Sequence, residues 1–182
     1  QGDLISAIAS YKKALELKPT YQEAYNNLGN ALKEQGDLAT EINHYNSALK
    51  LKPDFSEAYN NLGNALKELG DLNAAIISFK KALKFDPKNP DIHNNLGNSL
   101  KDNGDITGAL TSYNNSITLK SDNPEARLNL SLVLLLCGDY KNGLEGYEWR
   151  DKQKKTPTKP HARPNCKTWN GEPLKQGTKL RL

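Results

Sequence analysis

The chain of 182 residues is 36% hydrophobic and 7% aromatic, with a mean hydropathy of -0.75, and it contains neither a run long and apolar enough to span a bilayer nor an N-terminal secretory leader. Its formal charge of +4 hides two unlike parts, since residues 1–149 carry 15 Lys and Arg against 19 Asp and Glu while residues 150–182 carry 10 against 2. Two cysteines, Cys137 and Cys166, are too few for a disulfide framework or a cysteine-rich zinc site and fit a reducing, cytoplasmic compartment.

Residues 1–21 predict a single helix, because Leu4, Ile8, Tyr11, Ala14 and Leu15 recur at three- and four-residue spacing as one apolar stripe. From there the sequence repeats itself. EAYNNLGNALKEQGD, Glu23 to Asp37, returns nearly unchanged as Glu57 to Asp71 and with drift as Asp91 to Asp105, at a constant spacing of 34 residues. Gly-Asp pairs at Gly2-Asp3, Gly36-Asp37, Gly70-Asp71, Gly104-Asp105 and Gly138-Asp139 keep that register without insertion. A fixed period of this size predicts a solenoid. It divides the chain into a leading half repeat, 1–21, and repeats 22–55, 56–89, 90–123 and a degenerate, capping 124–150. The start inside a repeat and the lack of any Met predict an excerpt of a longer protein.

Each repeat predicts two helices. Thr20 with Glu23, and Asp54 with Glu57, have capping-box spacing, whereas Asn89-Pro90-Asp91 and Asn123-Pro124-Glu125 predict an Asn cap with Pro at the first helical position. Each Gly-Asp pair then predicts a left-handed stop followed by an Asp cap on the second helix. Ala24, Leu28, Ala31 and Leu32 form the packing stripe of the first helix, with Gly29 allowing two backbones a close approach.

Leu28-Gly29, Leu62-Gly63 and Leu96-Gly97, followed by a small residue, an aromatic four later and a Pro, as in Ala75, Phe79, Ala82 and Pro87, resemble the tetratricopeptide repeat over residues 1 to about 150. The resemblance implies an all-α, right-handed superhelical solenoid with a short irregular C-terminal extension, in which the first helices line a concave side. That side would carry Glu23, Asn26, Asn27, Asn30 and Lys33, then Asn60, Asn61, Asn64 and Lys67, then Asn94, Asn95, Asn98 and Lys101.

An asparagine amide both donates and accepts, so such a ladder can pair with the main chain of an extended peptide, at about 0.5–1.5 kcal/mol per hydrogen bond. The competing reading is that these side chains bond to one another between repeats, with Asn26, Asn60 and Asn94 merely solvated. The ladder resembles the repeat arm of the O-linked N-acetylglucosaminyltransferases and their bacterial relatives, which implies protein or peptide partners. Glu23, Glu57 and Asp91 stand where a carboxylate clamp of the chaperone-binding subclass would need Lys or Arg.

Glu41 occupies the small-residue site filled elsewhere by Ala7, Ala75 and Ala109, and its carboxylate is expected to reach solvent or a cation. His44 and His93 predict packing or surface roles, and neither a metal, a cofactor nor a catalytic constellation is expected. In the last repeat Leu128, Leu132, Leu135 and Leu136 replace the polar positions. A helix so apolar predicts burial on both faces under the chain that follows, or else a hydrophobic docking site.

Residues 151–182 predict a basic, Pro-rich connector leading to a missing downstream domain, with Trp169 to Leu174 as a turn and Thr178 to Leu182 as a truncated strand. With Tyr147 to Arg150 this resembles the junction between a repeat array and a glycosyltransferase-like domain, implying a substrate-recruiting arm. The alternative is a stand-alone scaffold, self-associating through exposed repeat ends. No nucleic-acid partner is expected, because no aromatic side chain interleaves the basic residues of 151–168, and no membrane partner is expected either.

Overall fold

The computed structural model describes residues 2–149. These form helices α1 (Gly2–Leu17), α2 (Gln22–Lys33), α3 (Leu38–Leu51), α4 (Ser56–Leu69), α5 (Leu72–Phe85), α6 (Pro90–Asp102), α7 (Ile106–Leu119), α8 (Pro124–Leu136) and α9 (Tyr140–Tyr147). The expected connector, turn and strand of 151–182 lie outside the described residues. Helices α2, α4, α6 and α8 are the first helices of their repeats, and α1, α3, α5, α7 and α9 the second. Each first helix packs on its own second helix, which in turn packs on the next first helix.

Four of the five Gly-Asp pairs act as expected, whereas Gly2-Asp3 lies within α1. Gly36, Gly70, Gly104 and Gly138 have φ of 78°, 90°, 85° and 83°, a region that side chains with a Cβ avoid. Asp37, Asp71, Asp105 and Asp139 then accept from the backbone N–H of Thr40, Ala74, Gly108 and Asn142, each satisfying an orphan donor of the following helix. Asn89 and Asn123 cap α6 and α8 in the same way, with Pro at the first helical position.

The predicted capping boxes do not form. Helix α2 begins after Tyr21 and α4 after Phe55, neither with a side-chain cap. Lys18 lies 5.2 Å from the ring centroid of Tyr21 and Lys52 4.9 Å from that of Phe55. These aromatic residues take the cap position and move Thr20 and Asp54 one residue away from it, while Glu57 is drawn into a hydrogen bond with the preceding repeat.

Three hydrophobic clusters run along the array, one between α1 and α2 and two where second helices meet the first helices on either side. Their most buried members include Tyr45, Phe79 and Tyr113, at 1%, 0% and 0% exposure. Gly29, Gly63 and Gly97 serve these rings rather than a backbone approach: a Cβ at the three positions would lie 2.6 Å, 2.7 Å and 2.6 Å from the ring atoms of Tyr45, Phe79 and Tyr113. The conspicuous Leu-Gly of the repeat is therefore a socket for the aromatic residue that follows it.

Candidate peptide-binding face

A 34-residue repeat, with its small stagger between neighbours, sets residue i of one first helix beside residue i+35 of the next. Asn61 Nδ2 donates to Asn26 Oδ1 at 3.0 Å, Asn95 Nδ2 to Asn60 Oδ1 at 3.1 Å and Asn129 Nδ2 to Asn94 Oδ1 at 3.1 Å. The chain of donors continues, for Asn26 Nδ2 donates to Glu57 Oε1 at 2.9 Å and Asn94 Nδ2 to Glu125 Oε1 at 3.0 Å. The corresponding acceptor for Asn60 is Asp91, one methylene shorter, and no such bond forms. Lys67 and Asp102, again 35 apart, pair at 3.1 Å, and Lys101 reaches the same carboxylate at 3.3 Å. Burial pushes the Asp102 carboxyl up, but these two cations outweigh it and hold it below its ordinary value.

A second family of bonds links the layers. Tyr45 Oη donates to Asn30 Oδ1 at 2.8 Å and Tyr113 Oη to Asn98 Oδ1 at 2.8 Å. Burial raises both phenol pKa values far above the ordinary range, so the hydroxyls stay protonated as donors.

The predicted site residues therefore divide. Asn26 and Asn94, at 1% and 3% exposure, are expected in the groove but are buried members of the seams between repeats, as in the competing reading of bonds between repeats and not as solvated side chains, because each finds both a donor and an acceptor within reach. Asn60 is half-buried in the same row. Lys67 and Lys101 are spent on Asp102, and Glu23 accepts from Gln22 at 3.0 Å. Lys33 is exposed. Asn61 and Asn95 have committed only their amino groups and Asn30 and Asn98 only their carbonyls. Asn27 and Asn64 have no hydrogen-bond partner among the described residues. The residue types stand at these spacings of 35, 31 and 15 in the sequence, but which of them bond depends on the stagger between repeats, which the sequence alone does not show.

In helix α8 Leu128 and Leu135 are half-buried, and Leu132 and Leu136 are 45% and 73% exposed among the described residues; most of the following chain expected to cover them lies outside the described residues. Helix α9 covers only the other side, pressing in so closely that a Cβ at Gly143 would meet Leu135 at 2.7 Å and one at Gly146 would meet Ser131 at 2.8 Å. Leu132 is in register with Asn30, Asn64 and Asn98, so the row of amides ends in hydrocarbon.

Neither histidine enters the face. His44 stacks on Tyr25 with ring centroids 5.9 Å apart, and its pKa is lowered, chiefly by burial; His93 Nε2 lies 3.0 Å from the Pro87 carbonyl oxygen. Among the described residues no group of three or more His, Cys, Asp or Glu is placed to hold a metal, and no helix is long and apolar enough to cross a membrane.

Comparison with curated proteins returned no significant match. Among solved structures, MamA is similar at 24% identity and a TM-score of 0.76, with 85% of this chain and 93% of that one covered. YrrB, described as a TPR protein with an unusual peptide-binding site, is similar at 25% identity and a TM-score of 0.70, covering 79% of this chain and 74% of that one. The pilF protein of Pseudomonas aeruginosa is similar at 20% identity and a TM-score of 0.78, covering 85% and 71%. The fold shared with them is the right-handed solenoid of helix-turn-helix units expected from the repeat. The TPR repeat family model matches residues 1–36, 29–70, 63–104 and 97–138 in overlapping register, and the chain belongs to the tetratricopeptide-repeat family.

Proposed function

We propose that the face formed by α2, α4, α6 and α8 is a groove that binds extended segments of other proteins through their main chain. The observation that carries this reading is the division of labour among the asparagines. Seam bonds turn the carbonyls of Asn61 and Asn95 into unpaired acceptors, and tyrosine bonds leave the amino groups of Asn30 and Asn98 as unpaired donors. A peptide main chain presents the complementary groups once per residue. With first helices about 10 Å apart and an extended chain rising about 3.3 Å per residue, one rung meets every third peptide unit. YrrB, as described, binds a peptide, which agrees with this use of the fold.

The narrower reading, a recruiting arm for a glycosyltransferase-like protein, rests on residues 147–182, most of which lie outside the described residues; recruitment of protein segments is the level at which we state the function. The test is binding of a library of unstructured peptides to the wild type and to a triple Ala variant at Asn27, Asn61 and Asn95. Loss of binding with helical circular dichroism retained is the expected result; undiminished binding excludes the ladder. Exposed Leu132 and Leu136 favour a second use, docking or self-association at the C-terminal end, and sedimentation of the wild type beside a Leu132→Asn/Leu136→Asn variant separates it from the first.

A further inference from the structure

In the rows Asn26, Asn60, Asn94 and Asn30, Asn64, Asn98 the three rungs are not equivalent, and the inequality falls on one helix, although Asn27 of α2, in a third row, is also unpaired among the described residues. On α2 and α6, Asn30 and Asn98 have their carbonyls fixed by the hydroxyls of Tyr45 and Tyr113, and Asn26 and Asn94 have their amino groups fixed by Glu57 and Glu125. On α4 both restraints are missing. The residue beneath Asn64 is Phe79, which occupies the same socket, against Gly63, but carries no hydroxyl. The acid opposite Asn60 is Asp91, which falls short. Two independent changes, each shorter by one group than its counterparts in the flanking repeats, leave the same first helix with Asn60 Nδ2 and both polar groups of Asn64 uncommitted among the described residues. Both side chains are half-buried rather than fully solvated, so they are less well hydrated than a side chain standing free in water.

We propose, building on the groove reading above, that α4 is the anchoring segment of the groove, and that Asn64 is its specificity-determining residue. Its free amide accepts the N–H and donates to the C=O of the ligand main chain in a two-bond pairing that Asn30 and Asn98, held with their carbonyls turned to tyrosine, are not arranged to make. Asn60 Nδ2 adds a donor beside it. The ligand class follows: an extended segment whose main chain offers a free N–H at the central rung, so that proline or an N-methylated residue is rejected most strongly there and less strongly three residues to either side, where a single bond is at stake.

The experiment closes the two gaps instead of opening new ones. Phe79→Tyr supplies the hydroxyl that Tyr45 and Tyr113 already place in that socket, and Asp91→Glu supplies the reach of Glu57 and Glu125; both add hydrogen bonds, so neither is expected to unfold the protein. The probe is a fluorescein-labelled 15-residue peptide selected from a random library on the wild-type chain, then resynthesised with proline at each position in turn.

The proposal expects Phe79→Tyr/Asp91→Glu to weaken the peptide about tenfold, Asn64→Ala to weaken it similarly, and the combination of all three substitutions to lose no more than either. It also expects one position in the wild type at which proline costs most, an excess that disappears in Asn64→Ala. Unchanged affinity in the Phe79→Tyr/Asp91→Glu variant, while Ala at Asn27, Asn61 and Asn95 still abolishes binding, overturns the anchor and leaves the groove. Failure of the library to yield any binder overturns both.

Discussion

Glu41 shows at the scale of one residue how the repeat tolerates a costly substitution. It is 1% exposed, in the position of three alanines, and its Oε1 has no hydrogen-bond partner among the described residues. The expected escape to solvent does not occur. Burial raises the carboxyl pKa above 4.5, Lys33 opposes this, and Glu68 and Asp37 add to it.

The folded state therefore holds the proton more tightly than the unfolded chain, so stability is greatest at pH below the unfolded value and declines as pH rises through the raised one. Glu41→Ala should stabilise the protein at pH 7 by about 1–3 kcal/mol and remove that decline, as read by urea denaturation at a series of pH values. Equal stability of the two proteins at pH 7 contradicts the buried, unpaired carboxylate. The sockets act oppositely: Gly63→Ala forces a methyl against Phe79 and should cost about 1–3 kcal/mol, measured in the same way. The glutamate at an alanine site was visible in the sequence, whereas its burial depends on tertiary packing and was not.

Helix boundaries sort into those that local chemistry decides and those that packing decides. The Gly-Asp turns and the Asn-Pro starts have their caps within three residues, so they could be read from sequence and form as expected. The starts of α2 and α4 contain plausible caps too, but aromatic residues and a distant asparagine claim the same ground. Asp71→Ala should accordingly cost about 1 kcal/mol, while Thr20→Ala and Asp54→Ala should each leave thermal stability within about 0.5 kcal/mol. A loss at Thr20 comparable to that at Asp71 contradicts the assigned caps.

Across the whole molecule, a solenoid buries its core only between neighbours, so stability is a sum of repeats and the seams that join them. The same asparagines that join the seams set the chemistry of the face: committing one amide group to a neighbour fixes the other outward. The period and the pairing of a first and a second helix in each repeat followed from repetition in the sequence. Which end of each amide points outward did not, because it depends on partners 35, 31 and 15 residues away. Leu132 ends the amide row at α8, so that among the described residues the row runs from polar to apolar.

The central claim is that an extended peptide lies on the first helices and is read by their amides. It is tested most directly by titrating a library-selected peptide into 15N-labelled protein and following the side-chain NH2 signals of the asparagines. The account predicts that Asn27, Asn30, Asn64 and Asn98 shift together, while Asn43, Asn46 and Asn114, on the second helices, stay in place. Shifts confined to the second helices, with the signals of Asn30, Asn64 and Asn98 unmoved, contradict it.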